Sequence, residues 1–265
     1  MTYIQTPALK YKPQAIAEDV QDQVAVEEVL NIAVNHVPYT MTMRTPGSEE
    51  ALVRGILLSE DVYTNWEENP IIQIVEKNNK GYITHVNALI KEDKISDGIH
   101  TKRNLVSVSS CGMCGKESFS TETPMEPLNI LDKVQSQAIE LAFEKMKQHQ
   151  VLFEATGGTH AAAIFDKNLK LLGVEEDIGR HNAVDKIIGL LLNQHSLNQS
   201  LMLLVSGRLS YEIVSKCYRA QIPILASVSA PSSMAIEYAQ KAGISLLAFC
   251  RKNQCTVYTH TARIY

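Results

Sequence analysis

Two cysteines separated by two residues, Cys111 and Cys114, lie in SSCGMCGK (109–116), the densest reactive chemistry in the chain. Such a pair has three ordinary uses: half of a zinc site, a disulfide redox couple, or a nucleophilic thiol with a neighbour. Structural zinc takes four ligands, and the only other close cysteines, Cys250 and Cys255, have four residues between them, a poorly spaced second clamp. A redox couple belongs at a strand-to-helix turn, where the helix start lowers the first thiol's pKa. The residues after Cys114, GKESFSTETP, are too broken for a helix. The third use fits the local composition best. Gly112 and Gly115 free the backbone for close approach to a partner, and Lys102, Arg103 and Lys116 favour the thiolate. The expectation is a mobile thiolate that collects a group at one place and delivers it at another. An inert, structural pair is the alternative.

A second set of residues could hold an anion. TGGTHAAAIF (156–165) brings Gly157, Gly158 and His160 ahead of an apolar run. EEDIGRHNAVDKIIG (175–189) brings Asp177, Arg180, His181, Asn182 and Asp185 to a helix start, and SGR (206–208) brings Ser206 and Arg208 between a strand and a helix. SAPSS (229–233) repeats that placement, and FCRKNQ (249–254) sets Arg251 and Lys252 straight after a strand. In a layered α/β domain such loops gather at one sheet edge, where helix starts and arginines attract phosphate. Each residue has a plainer reading. Asp177 could cap a helix, Arg180 could pair with a carboxylate, and His160 and His181 could be hydrogen-bonded core residues. Only the loops together point to a polyphosphate or nucleotide. The Walker and dinucleotide-binding glycine patterns are absent.

The elements that must position these residues follow from periodicity. Extended segments are expected at 26–34 and 39–44, a turn at RTPG (44–47), then a helix capped by Ser48 with Glu49 and Glu50 in its first turn. Further strands are expected at 71–75, 81–90 and 103–109, which makes residues 1–120 a small α+β unit. TETPMEPLN (121–129) reads as a linker, and the spacing of Leu131, Val134, Ala138, Leu141, Ala142 and Met146 predicts a helix over 130–148. Beyond it, strands at 161–165, 201–205, 223–228 and 244–249 alternate with helices led by 184–192, 211–221 and 233–242, before a last strand at 256–260. Residues 121–265 therefore read as a layered α/β domain with a largely parallel sheet.

Composition sets the outer bounds. The 265 residues are 45% hydrophobic and 20% charged, with a net charge of −4, which excludes collagen-like, disordered and disulfide-stapled classes. Residues 1–110 carry 10 of the 25 basic and 15 of the 29 acidic side chains, so no basic footprint for nucleic acid exists there, and the remainder is near neutral. Apolar runs of about five residues are too short for a bilayer span. Five cysteines, an odd number, in a chain that opens without an apolar leader suggest a reducing cytosol.

In order along the chain, RTPG with GILLSED (55–61), SSCGMCGK, TGGTHAAAIF, EDIGRHNAVDK (176–186), SGRLSYEIVSK (206–216), SVSAPSS (227–233) and FCRKNQCTVYTH (249–260) resemble the FdhD family of formate dehydrogenase accessory sulfurtransferases. The resemblance implies a cytoplasmic, homodimeric sulfur carrier. It would receive sulfur from a cysteine desulfurase as a persulfide on Cys111, with Cys114 as the second thiol. It would pass that sulfur to a molybdenum or tungsten bis(molybdopterin guanine dinucleotide) cofactor before the cofactor enters the formate dehydrogenase apoprotein. The cofactor would be cargo, with GDP as a mimic. By motif position the resemblance gives cofactor contact to Phe249, Cys250, Arg251, Lys252, Asn253 and Gln254, beside the anion candidates Gly157, Gly158, His160, Arg180, Ser206 and Arg208. It also implies a C-terminal domain similar to the cytidine deaminase fold. The zinc deaminase signature is missing, since no H-x-E occurs and Ser110 precedes Cys111. A cofactor-binding chaperone with structural or zinc-binding cysteines is the competing reading.

Overall fold

The computed structural model describes residues 2–13, 16–96, 126–252 and 254–265. Cys111, Cys114, Asn253, the strand expected at 103–109 and the 120/121 domain boundary lie outside the described residues.

Two antiparallel strands, β1 (Tyr3–Lys10) and β2 (Glu18–Ala25), open the chain as an exposed ribbon that periodicity does not reveal. A lone two-stranded ribbon is marginal in water; its second strand lies along a short helix described below. A four-stranded sheet follows in the order β4-β3-β6-β5, from β3 (Glu28–Val34), β4 (Val37–Arg44), β5 (Ile71–Lys77) and β6 (Ile83–Leu89). Leu30, Ile32 and Val34 alternate onto one face and pack with Leu52, Val53, Ile56 and Leu57 of α1 (Glu49–Ser59). Ser48 precedes α1 but does not cap it. It adopts a left-handed conformation (φ 55°) and its hydroxyl donates to Glu175, 3.0 Å away, while Glu49 accepts from the Gly47 N–H.

The second half forms a six-stranded sheet, β12-β11-β10-β9-β7-β8. Its members are β7 (His160–Asp166), β8 (Leu171–Asp177), β9 (Ser200–Val205), β10 (Ile224–Ser227), β11 (Ser245–Arg251) and β12 (Gln254–Val257). Only β9, β10 and β11 run parallel; β7, β8 and β12 are antiparallel to their neighbours. The expectation of a largely parallel sheet is thus corrected to a mixed one. The short connections that follow Asp166 and Arg251 can only return as hairpins, whereas the three parallel strands are joined through helices.

Successive side chains of these strands go to opposite, equally dry faces, which explains the unbroken apolar runs. Ile164, Leu203, Leu225 and Leu246 meet α4 (Arg180–Asn193), α5 (Tyr211–Arg219) and α6 (Ser233–Ala242). Phe165, Leu204, Ala226 and Leu247 meet Ile139, Phe143 and Met146 of α2 (Ser136–Gln148). This helix starts six residues later than its spacing predicts: Val134 bridges Ile264 in extended form, and Leu131 is exposed. Nor are residues 126–129, the described part of the linker expected at 121–129, detached from the second half. The Leu128 N–H donates to the Ala242 carbonyl, and Arg263 donates to the carbonyls of Leu128 and Ile130. A short helix, α3 (Val151–Thr156), unforeseen in the sequence, supports the ribbon.

The two halves meet where α1 lies on α4. Gly55 and Gly189 face the opposite backbones so closely that a Cβ on either would come within 1.9 Å and 1.8 Å of the Asp185 and Ala51 carbonyl oxygens.

Candidate functional site

Strand direction decides which loops meet. The carboxyl ends of β9, β10 and β11, the start of β7 and the end of β8 share one sheet edge. His160, Arg180, Ser206 and Arg208 therefore converge there from three separate motifs.

Hydrogen bonds lace this edge together. Ser206 donates its N–H to the Ala161 carbonyl, the Ser227 hydroxyl donates to the Gly207 carbonyl at 2.6 Å, and the Phe249 N–H donates to the Ser229 carbonyl at 3.1 Å. Gly207 is needed for close approach: a Cβ there would lie 3.1 Å from Cβ and 3.2 Å from Cδ of Arg180, and 3.5 Å from Nδ1 of His160. The Arg180 stem thus lies over the Gly207 backbone. Its Nε is buried and meets no hydrogen-bond acceptor among the described residues, a costly state for a guanidinium. The carboxylate pairing that would make Arg180 a structural residue is not found among the described residues. Arg208 is exposed beside it. Helices α4 and α5 start at this edge without side-chain caps on Gly179 and Ser210, so their positive ends add to the field.

His160 reports that field. Burial, then Arg180 and His181, hold its imidazole below the ordinary 6.5, with Arg208 adding to them and Asp177 opposing. The Ser206 hydroxyl accepts the Ala161 N–H at 3.0 Å and lies 3.2 Å from Nδ1 of His160. Its own proton can then go to Nδ1, which leaves the ring proton on Nε2 as a donor. A histidine with a depressed folded pKa contributes stability above 6.5 that is lost as pH falls through the folded value, because the unfolded chain takes up the proton first. Melting temperature should therefore drop on acidification below 6.5, and His160→Gln should flatten that drop. Parallel profiles for the two proteins would remove His160 as the cause.

Other candidate residues have structural employment. Asp177 is fully buried, pairs with Lys186 at 2.7 Å, and accepts from the N–H groups of Thr45 and Gly179 at 3.1 and 2.8 Å. Asn182 donates to the Met43 carbonyl at 2.8 Å, and Lys186 to that of Thr45 at 2.8 Å. RTPG thus docks on EDIGRHNAVDK. Gly157 ends α3 in the left-handed conformation (φ 64°), and the Gly158 N–H donates to Thr156. Both glycines immediately precede β7 at the same edge. Phe249 reaches the edge through its backbone, and Arg251, Lys252 and Gln254 are exposed. The Cys250 thiol turns instead into the core against α2.

One feature escaped sequence reasoning. His181 and Asp185 are one turn apart on α4, as Glu212 and Lys216 are on α5, and they pair rung by rung: His181 with Glu212 at 2.9 Å and Lys216 with Asp185 at 2.8 Å. Ser59 of α1 donates to Asp185 at 2.6 Å. The matching four-residue spacings of H-x-x-x-D and E-x-x-x-K were a legible signal of two facing helices.

Residues 25–265 match the FdhD/NarQ family. The Sulfur carrier protein FdhD of Saccharolobus solfataricus is 41% identical over 252 residues, covering 92% of this chain and 91% of its own. The protein of the same name from Mycobacterium tuberculosis is 39% identical over 253 residues, covering 92% of each. A crystal structure of a proposed formate dehydrogenase accessory protein from Desulfotalea psychrophila is similar over 100% of both chains, with a TM-score of 0.77 and 24% identity, a likeness of fold. No helix among the described residues is long and apolar enough to cross a membrane.

Proposed function

The chain belongs to the FdhD/NarQ family, and on that premise we propose that it is a cytoplasmic sulfur carrier that serves formate dehydrogenase. A cysteine desulfurase loads Cys111 as a persulfide, Cys114 stands by as second thiol, and the outer sulfur goes to a molybdenum or tungsten bis(molybdopterin guanine dinucleotide) cofactor before that cofactor enters the apoenzyme. The cofactor is cargo. Each of its two nucleotide arms carries a pyrophosphate, and the observation that carries this reading is the buried Nε of Arg180, without an acceptor among the described residues, beside Arg208, His160 and two uncapped helix starts. A neutral substrate would leave that positive edge without a purpose. The wider reading includes a homodimer, a division into residues 1–120 and 121–265, and a cytidine deaminase-like layering of the second unit. A mixed sheet with helices on both faces supports the last of these.

Transfer of a persulfide's outer sulfur needs positioning more than acid or base help, and positioning lowers a barrier by several kcal/mol. Holding the nucleotide end of the cargo at the sheet edge is therefore the chain's main task. GDP should raise the melting temperature, since a ligand that binds only the folded state stabilises it. Arg208→Ala should weaken GDP binding about tenfold, the worth of one charge-assisted hydrogen bond. Calorimetric titration of the two proteins checks this. Equal affinities would move the phosphate site elsewhere.

The reading as a whole is tested by intact-mass measurement after incubation with a cysteine desulfurase and cysteine. Added sulfur that a reductant removes is expected. Stoichiometric zinc retained on Cys111 and Cys114, with no sulfur gained, would favour the chaperone reading instead.

A further inference from the structure

Cys250 and Cys255 were set aside above as a poor zinc clamp, yet the fold brings them together. Arg251 pairs with Gln254 across the β11–β12 hairpin, so the next residue outward on each strand is a cysteine. Both side chains take the same face. Cys250, 4% exposed, belongs to the cluster against α2, and half-buried Cys255 packs on that cluster. The two thiols also interact side chain to side chain. Both are reduced in the structure. Neighbouring positions on one face of paired strands lie within the reach of a disulfide. The hairpin itself is held out of regular geometry. Its register shifts between Ala248 and Arg251, and Phe249 and Lys252, neither of them glycine, have φ of 54° and 56°.

We propose that Cys250 and Cys255 are a dithiol–disulfide pair that closes this hairpin when a small-molecule disulfide is present as oxidant. The more accessible Cys255 attacks first. Its thiolate forms a mixed disulfide and expels one thiolate of the oxidant. The Cys250 thiolate then attacks the Cys255 sulfur and expels the protein-bound half of the oxidant as the second thiolate. The two cysteine protons end on the two departing thiolates, and the two electrons that the cysteines lose reduce the oxidant to two thiols. Burial raises both thiols, Cys250 to about 12, so closure is slow near neutrality and quickens as pH rises. Arg251, Lys252 and Gln254 lie between the two cysteines, and closure fixes the segment that presents them. That consequence for cargo rests on the function proposed above; the bond itself does not.

The test uses the full chain exposed to oxidised glutathione, alkylated and digested with trypsin, which cuts after Arg251 and Lys252 and so separates the two cysteines. A linked pair of peptides containing Cys250 and Cys255 is expected, together with a higher melting temperature than the reduced protein. Both changes should vanish in Cys255→Ser, a half-exposed site whose unaltered reduced melting curve checks folding. Recovery of Cys250 as alkylated thiol, with Cys255 alkylated or only glutathionylated, would overturn the pair. GDP titration of the oxidised and reduced forms addresses the consequence separately. Different affinities are expected. Equal affinities overturn control of the cargo site but leave the bond, and absence of GDP binding by both forms counts against the function proposed above rather than the disulfide.

Discussion

A Cys111→Ala chain incubated with a cysteine desulfurase and cysteine is expected to gain no sulfur that reductant can remove, and to leave its client formate dehydrogenase inactive. In the proposed mechanism the effect is near complete, because the transferred sulfur rides on the Cys111 sulfur while Cys114 serves only as second thiol. Among the described cysteines, burial pushes the thiol of fully buried Cys217 far up, and that of Cys250 up to about 12. Thiols so disfavoured as thiolates are poor nucleophiles. Cys114→Ala separates the roles. If the second thiol only assists, sulfur still adds to Cys111 and release to the acceptor slows. A Cys111→Ala chain that matures its client as well as the parent would end the carrier mechanism.

The second large effect concerns the seam between α1 and α4. Gly→Ala inside a helix ordinarily stabilises by about 1 kcal/mol. At Gly189 the sign should reverse. A Cβ there would sit 1.8 Å from the Ala51 carbonyl oxygen and 2.7 Å from the Gly55 nitrogen, backbone atoms that no side-chain rotation can clear. The helices must separate, and the dry contact between the halves opens along its length. The expected loss is about 3 kcal/mol or more, a fall in melting temperature of roughly 6–12 °C. Thermal and denaturant unfolding of Gly189→Ala check this. A variant as stable as the parent would mean that the two helices do not touch as described. Gly55→Ala, 1.9 Å from the Asp185 carbonyl oxygen, should behave alike.

Legibility in the sequence followed the range of the interaction. Alternation in β3 and four-residue spacing in α6 depend on neighbours within a few residues, and α6 was read to its bounds because Gly243 supplies a left-handed stop (φ 74°). The start of α2 was misread because Leu131 and Val134 keep helical spacing, while the bridge from Val134 to Ile264 holds them extended. Ser48 has the residue type and following acids of a cap, yet Glu175, over a hundred residues away, takes its hydroxyl. The ribbon β1–β2 has too few buried side chains to leave a pattern at all.

At the candidate site the residue types declared the chemistry and the fold sorted them. His160, Arg180, Ser206 and Arg208 were legible as candidates for an anion site from loops and helix starts, and the fold brings them to one sheet edge. Asp177, Asn182 and Lys186 carry equal chemical promise, and only their contacts with Met43 and Thr45 turn them into a seam.

Seven motifs in order along the chain sufficed to indicate the family, which the match over residues 25–265 bears out, because motifs are local and need no tertiary neighbours to be recognised. Tertiary structure alone determined which loops share the sheet edge with Arg180, which cysteines face one another, and which glycines admit a second helix. Each of those depends on strand direction and on the distance between backbones, quantities that no local spacing contains.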